Sequence, residues 1–347
     1  MNCRVRQELS QSEAARFNRF VLSSERGSLF QTTFWARIKA CRPGVSHLYA
    51  QFEDAGELVG CALVRRHTLP LVAWSTDHVD RGPVSDRAET LSECVTLLAD
   101  VLSDQGSTCL TVGPYWPRVC AASVEESLLH DGFRSSNAGD GVHSVSLDID
   151  LNASEAELLA SFRQSTRYEV RKAERIGVQV IRATNTADIS EFVALYAEMA
   201  GAHGIRALGE SQLKRLGDHL REYPDHGVIL LTRLGDDLLA GHVVLRHGRR
   251  AVYTFGASSP GSSRGVPKSQ LGLWRAIQWA KAGECSVFDL GGIDPTAAEG
   301  TALSSINQFK RGFSTHQIEL LPSYEKVLRP MRHAVVEAAQ KTARRLA

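Results

Sequence analysis

The sequence is short of most features that place a protein quickly. Its 347 residues hold seven cysteines with no CxxC pair, only three methionines and five tryptophans, and almost no net charge. Without paired cysteines at metal or disulfide spacing, neither a zinc site nor a disulfide frame is expected, and the thiols read as reduced. Forty Lys and Arg against 39 Asp and Glu leave a formal charge of +1, so any polyanion partner must be met by a local basic patch. No apolar run reaches the roughly 18 residues that cross a bilayer. The opening MNCRVRQELSQSEAARF has no apolar core of a secretory signal. A cytoplasmic protein is expected, with peripheral contact at the inner membrane face left open. The twelve histidines include no HExxH or similar spacing, so no metal site is expected, and no Ser-His-Asp order stands out.

What is present describes an ordinary folded chain, 43% hydrophobic and 23% charged. One core stops growing near roughly 250–300 residues, so two domains are expected. QSEAARFNRFVLSS and ETLSECVTLLADVLSDQG carry helical spacing, and SHLYAQFEDAGELVGCALVRRH reads as two strands about a DAGE turn. From about residue 150 the order restarts. A helix from Ser154 to about Ile176 leads to the strand VQVIRA and two more helices. GVILLTRLGDDLLAGHVVLRHGRRAVYTFGASS then reads as a three-strand meander, followed by the helix LGLWRAIQWAKAGE and the buried strand VFDLGG. The repetition predicts an α+β chain of two like domains, each a mixed sheet flanked by helices, at 1–148 and 149–324. A basic helix, 325–347, packs back on the first.

Six strings are more specific: SLFQTTFWARIK (28–39), DRGPVSD (80–86), SFRQSTRYEVRKAERIGVQV (161–180), YTFGASS (253–259), DLGGIDP (289–295) and FKRGF (309–313). In that order they resemble the FemABX family of non-ribosomal peptidyltransferases, over about Ser28 to Tyr324. The resemblance implies two GNAT-like domains, here without the coiled-coil arm of some members. It also implies transfer of an amino acid from aminoacyl-tRNA to an amine on a peptidoglycan precursor's stem peptide. The partners it implies are aminoacyl-tRNA and a nucleotide- or lipid-linked muropeptide. No cofactor is implied beyond the tRNA co-substrate, and a monomer is expected.

In FKRGF, Lys310 stands between Phe309 and Phe313. Such a lysine is either a snorkelling side chain between core aromatics or a fixed cation for an oxyanion. In the second role one good donor is worth on the order of 3 kcal/mol. The resemblance gives Lys310, with Phe309 beside it, the second role. FWARIK puts Trp35 and Lys39 on one helix face, and the family's lysine at this motif contacts acceptor phosphate. The resemblance extends to Tyr253 as a substrate-lining residue, Arg206 as a second phosphate cation, and Gly291 and Gly292 beside the acceptor cleft, with Asp294 near them. Arg163, Arg167, Arg171 and Arg175 recur at i+4 and form one stripe suited to a phosphate backbone or to solvent, so tRNA contact is expected at Arg163, Arg167 and Arg171. One departure stands out: TVGPYWP has Gly113 where many members carry an acid considered as proton acceptor, and no replacement base is legible.

Two other readings fit the same chain. A GNAT-type N-acyltransferase using acyl-CoA needs a phosphate-cradling turn, and SSRGVPKSQLGLW supplies Arg264 and Gly265 but lacks the second glycine and has Pro267. A non-catalytic binding module would explain Gly113 but not the intact FKRGF.

Overall fold

The structure, a computed structural model, describes residues 1–39, 44–69, 72–136, 144–203, 208–260 and 265–346. The chain divides into two compact units, Met1–Ser144 with Glu319–Ala347, and Val145–Ile318.

The first unit runs β1 (Asn2–Arg6), α1 (Gln11–Ser23), α2 (Thr33–Lys39), β2 (Val45–Asp54), β3 (Glu57–Thr68), β4 (Ser75–Asp80), α3 (Ala88–Asp104), β5 (Ser107–Gly113), α4 (Ala122–His130) and β6 (Arg134–Ser136). α1 begins where the sequence tells it to, since Ser10 and Glu13 close a capping box over the first free N–H groups. The DAGE turn joins β2 to β3, and Ala55 and Gly56 take the paired positive φ values, 48° and 88°, that a tight hairpin needs. α3 lays Leu91, Val95, Leu98 and Leu102 on the sheet, against Phe52, Val64, Leu110 and Val112.

The second unit runs β7 (Val145–Asp150), α5 (Glu155–Ser161), α6 (Gln164–Arg175), β8 (Gln179–Arg182), α7 (Thr186–His203), α8 (Glu210–Glu222), β9 (Gly227–Leu234), β10 (Asp237–His247), β11 (Arg250–Ser258), α9 (Gln270–Ala282), β12 (Val287–Ile293), α10 (Ala302–Arg311) and β13 (Gln317–Glu319). β14 (Ser323–Val327) and α11 (Pro330–Leu346) then return to the first unit.

Each sheet has seven strands, in the orders β1-β2-β3-β4-β5-β14-β6 and β8-β9-β10-β11-β12-β7-β13, the second written from the other edge. The two orders match position by position. A meander ends in a parallel neighbour, β4 with β5 and β11 with β12, and an antiparallel strand follows, β14 or β7. After β6 the chain supplies β7 to the second sheet, and after β13 it supplies β14 to the first. The two equivalent strands are thus exchanged. Both sheets are mixed and flanked by helices, as the α+β reading required. No helix among the described residues is long and apolar enough to cross a membrane.

Two details differ from the sequence reading. The helix drawn from Ser154 to Ile176 is two helices, because Phe162 and Arg163 are extended (ψ 154° and 144°). Phe162 turns inward, 1% exposed, edge-on to Trp274 and Phe313 at 5.4 and 5.1 Å. Burying its ring, worth about 2 kcal/mol, offsets the interrupted helix bonds. The return segment also starts earlier than residue 325: Ser323 and Tyr324 belong to β14, and the terminal helix starts at Pro330. Tyr324 is fully buried in the first core, its hydroxyl donating to Glu125 at 2.6 Å.

Candidate active site

β12 carries Phe288 and Leu290 into the second core and leaves the alternate residue, Asp289, off that face. At Gly291 the strand leaves regular geometry with φ 78°, a conformation a side chain resists. Asp289 fixes this turn: its Oδ1 accepts the Gly291 N–H at 2.7 Å and the Ser146 hydroxyl of β7 at 2.5 Å. The turn directs the Gly292 carbonyl toward α10, where it accepts a hydrogen bond from Lys310 Nζ at 2.8 Å. A Cβ at Gly291 would lie 3.4 Å from that ammonium and 3.1 Å from the Tyr253 carbonyl, so these three groups meet at one point.

FKRGF builds this end of α10. Phe313 is 1% exposed in the core, and Phe309 packs partly buried against it, edge-on at 5.4 Å. Gly312 lets α6 approach, since a Cβ there would stand 2.4 Å from Thr166 Oγ1. Its carbonyl accepts the Arg163 N–H at 2.9 Å. Lys310 as a whole is half-buried, yet its ammonium is enclosed. Burial pushes its pKa down to about 8, with Asp289 pulling the other way. Asn307, one turn earlier, donates from Nδ2 to the Asp294 carbonyl at 2.5 Å and anchors the loop after β12. The Asp294 carboxylate itself accepts from the Thr296 N–H and hydroxyl.

Tyr253 folds its hydroxyl over Gly256, whose missing side chain gives it room. The hydroxyl lies 3.2 Å from Nδ1 of His242, which is 1% exposed. Burial holds the tyrosine above its ordinary pKa and the histidine down to about 4, so at neutral pH the pair is uncharged.

In the first unit, buried Gln31 joins two of the strings. Its amide donates to the Asp80 carbonyl at 2.6 Å and accepts from the Leu63 N–H at 2.7 Å, and it sits where a Cβ at Gly82 would collide. Trp35, 7% exposed, stacks edge-on against Phe30 at 4.7 Å, and Lys39 Nζ stands 5.4 Å over its ring. The surroundings are basic: after burial, Arg65 and then Lys39 help push His47 down to about 4.

The sequence pattern of the FemAB family matches residues 12–234, well over half of the chain. The chain belongs to the FemAB family. A GNAT acetyltransferase pattern also matches residues 160–311. The UDP-N-acetylmuramoylpentapeptide-lysine N(6)-alanyltransferase of Weissella viridescens is 25% identical, over 91% of this chain and 94% of that protein. The lipid II:glycine glycyltransferase of Staphylococcus epidermidis is 21% identical, over 91% and 92%. The solved structure of FemX superposes with a TM-score of 0.82 at 17% identity, covering 97% of this chain and all of that one. A tandem GNAT protein from the clavulanic acid biosynthesis pathway is also similar, with a TM-score of 0.55 at 12% identity, covering 94% of this chain and 99% of that one. The fold is the tandem GNAT-like one, and this FemAB family member is a transferase.

The FemAB strings fall in both units. Lys310, Phe309, Gly291, Gly292 and Tyr253 cluster at the β11–β12–α10 corner, while Trp35 and Lys39 lie in the first unit. Arg206 and Arg264 lie outside the described residues. The arginine stripe is corrected. Arg163 precedes α6 as its N-cap residue, so it does not share the helical row. Arg167 is half-buried and gives its guanidinium to the carbonyls of Ala160, at 3.0 Å, and Phe162, closing the end of α5. Arg163, Arg171 and Arg175 have exposed side chains. Gly113 ends β5 buried, and a Cβ there would come 3.2 Å from Ser323 Oγ of β14, a tight contact that this serine side chain would have to relieve. Asp289, Ser146, Asn307 and His242 went unnoticed in the sequence. Only Asp289 left a signal, as the sole charge in VFDLGG.

Proposed function

We propose that the protein transfers an amino acid, carried as an ester on tRNA, to an amine on the stem peptide of a peptidoglycan precursor. Three things support the reading: the family, the names of the two relatives, and the chemistry available at Lys310. The observation that carries it is the enclosed Lys310 ammonium, held by the Gly292 carbonyl at the end of β12.

The acceptor amine attacks the ester carbonyl, forming the N–C bond and a tetrahedral oxyanion. The C–O bond to the tRNA ribose then breaks, and the ribose oxygen leaves with a proton. With a pKa of about 8, Lys310 is roughly nine-tenths protonated at pH 7. It is also more acidic than an exposed lysine, which strengthens its hydrogen bond to the developing negative charge. A preorganised donor favours the transition state over the planar ester and so raises kcat rather than affinity. The burial that encloses the ammonium sharpens its field. Lys39 holds acceptor phosphate as a flexible point charge, with Trp35 under it. Arg206 is a second phosphate cation, Tyr253 lines the amine's approach beside Gly291 and Gly292, and the exposed Arg163 and Arg171 meet the tRNA backbone. The reaction needs no cofactor and takes place in the cytoplasm.

The test is incubation of the pure protein with charged tRNAs and a nucleotide-linked muropeptide, with mass spectrometry of the peptide. A gain of one aminoacyl residue, lost when the tRNA is deacylated, is expected. Acylation by acetyl-CoA with none from charged tRNA would overturn the reading in favour of a coenzyme A enzyme.

A further inference from the structure

The Lys310 mechanism leaves unused the buried carboxylate of Asp289, whose charge acts on the lysine. Asp289 is 6% exposed, holds the left-handed Gly291 turn through its Oδ1, and is fixed from behind by Ser146. A carboxylate is costly to bury, and it persists where its hydrogen bonds and its field serve a neighbour. The turn it holds is the one that presents the Gly292 carbonyl to Lys310 Nζ.

We propose that Asp289 is the positioning residue of the reaction: it fixes the carbonyl that aims the Lys310 ammonium and supplies the opposing charge that keeps that ammonium protonated in an apolar setting. This rests on Lys310 being the cation that meets the oxyanion. The charged groups of the strands around Lys310 are Asp289, Asp294, whose carbonyl Asn307 of α10 holds, and Asp148, the strand partner of Asp289, which is bonded to His316. Arg311 lies on α10 itself. Of these, Asp289 raises the Lys310 pKa against the burial that lowers it. Asp294 is turned to Thr296.

The experiment compares Asp289→Asn and Asp289→Glu in the full-length protein. Asparagine keeps an oxygen for the Gly291 N–H and the Ser146 hydroxyl but removes the charge, whereas glutamate keeps the charge and displaces the oxygen. Lys310 is pulse-labelled with an amine-selective acylating reagent across pH 6 to 10 and read by peptide mass spectrometry. The labelling midpoint expected of the unchanged protein is near 8. In Asp289→Asn it falls by about one pH unit or more, the size expected when an opposite charge nearby is lost. In Asp289→Glu it stays near 8 while aminoacyl transfer slows. A midpoint that does not move in Asp289→Asn overturns the proposal. So does one that falls in Asp289→Glu, a result that stands alone if the asparagine variant does not fold. The pH profile of transfer separates the two ideas. If labelling shifts and the alkaline limb of transfer stays in place, Asp289 controls Lys310 and it is the assignment of Lys310 to the reaction that fails.

Discussion

Replacing Lys310 with methionine should change how the second unit's stability depends on pH. Methionine keeps the length and apolar stem of the side chain and removes the charge. The folded lysine gives up its proton near 8, while the unfolded one keeps it to the ordinary 10.5. Between those values the unfolded chain binds more protons, so native stability rises with pH there. Below 8 both states are protonated and the full burial cost is present. Above 10.5 both are neutral and it is gone. At about 1.36 kcal/mol per pH unit the cost is about 3 kcal/mol, an upper figure because the lysine stem is partly exposed. Methionine removes this cost but leaves the Gly292 carbonyl without its donor, a loss of about 1–3 kcal/mol. The two variants can therefore be similar in stability at pH 7, and the slope is the diagnostic. Urea unfolding at pH 7 to 11, followed through Trp274 and Trp279 of the second unit, should show the unchanged protein gaining up to about 3 kcal/mol on Lys310→Met. A difference flat across that range would refute the enclosed, depressed lysine.

Two other expectations follow from close contacts. Gly312→Ala places a Cβ 2.4 Å from Thr166 Oγ1 and 3.0 Å from the Phe309 carbonyl at a helical φ of −68°. It should cost about 1–3 kcal/mol by crowding alone, with part recovered in the double variant with Thr166→Ala, as thermal unfolding will read. Arg167→Ala should lower stability by about 1–2 kcal/mol through the freed α5 carbonyls. Arg171→Glu, on an exposed side chain, should leave stability within about 0.5 kcal/mol while raising the KM for charged tRNA in a salt-dependent way. A tRNA KM unchanged at low salt removes Arg171 from the RNA contact.

The fold was largely readable because its punctuation is local. The DAGE turn and the meander turns at Gly235 and Gly248 sit where the residue types demand them. The exchange of β7 and β14 was not readable, since no local signal says which sheet a strand joins. The break at Phe162 was hidden for a related reason: it contains no glycine or proline, and tertiary burial of one aromatic ring decides it. That break also undid the four-arginine row, which assumed an uninterrupted helix. At the site, the two flanking phenylalanines left Lys310 either a snorkelling side chain or a fixed cation, and the family resemblance alone pointed to the second. Asp289 was masked by the neighbouring glycines, because a lone acid in a strand reads equally well as solvent-facing. Its partners Ser146 and Gly291 are brought to it only by the pairing of β7 with β12.

Steady-state transfer of an aminoacyl group from charged tRNA to a muropeptide, measured for the unchanged protein and Lys310→Met side by side, tests the oxyanion role most directly. The expected result is a fall in kcat of about 10²–10³ with KM for both substrates within a few-fold, the signature of a contact made in the transition state. Turnover within about twofold of the unchanged protein, in a folded variant, would contradict it.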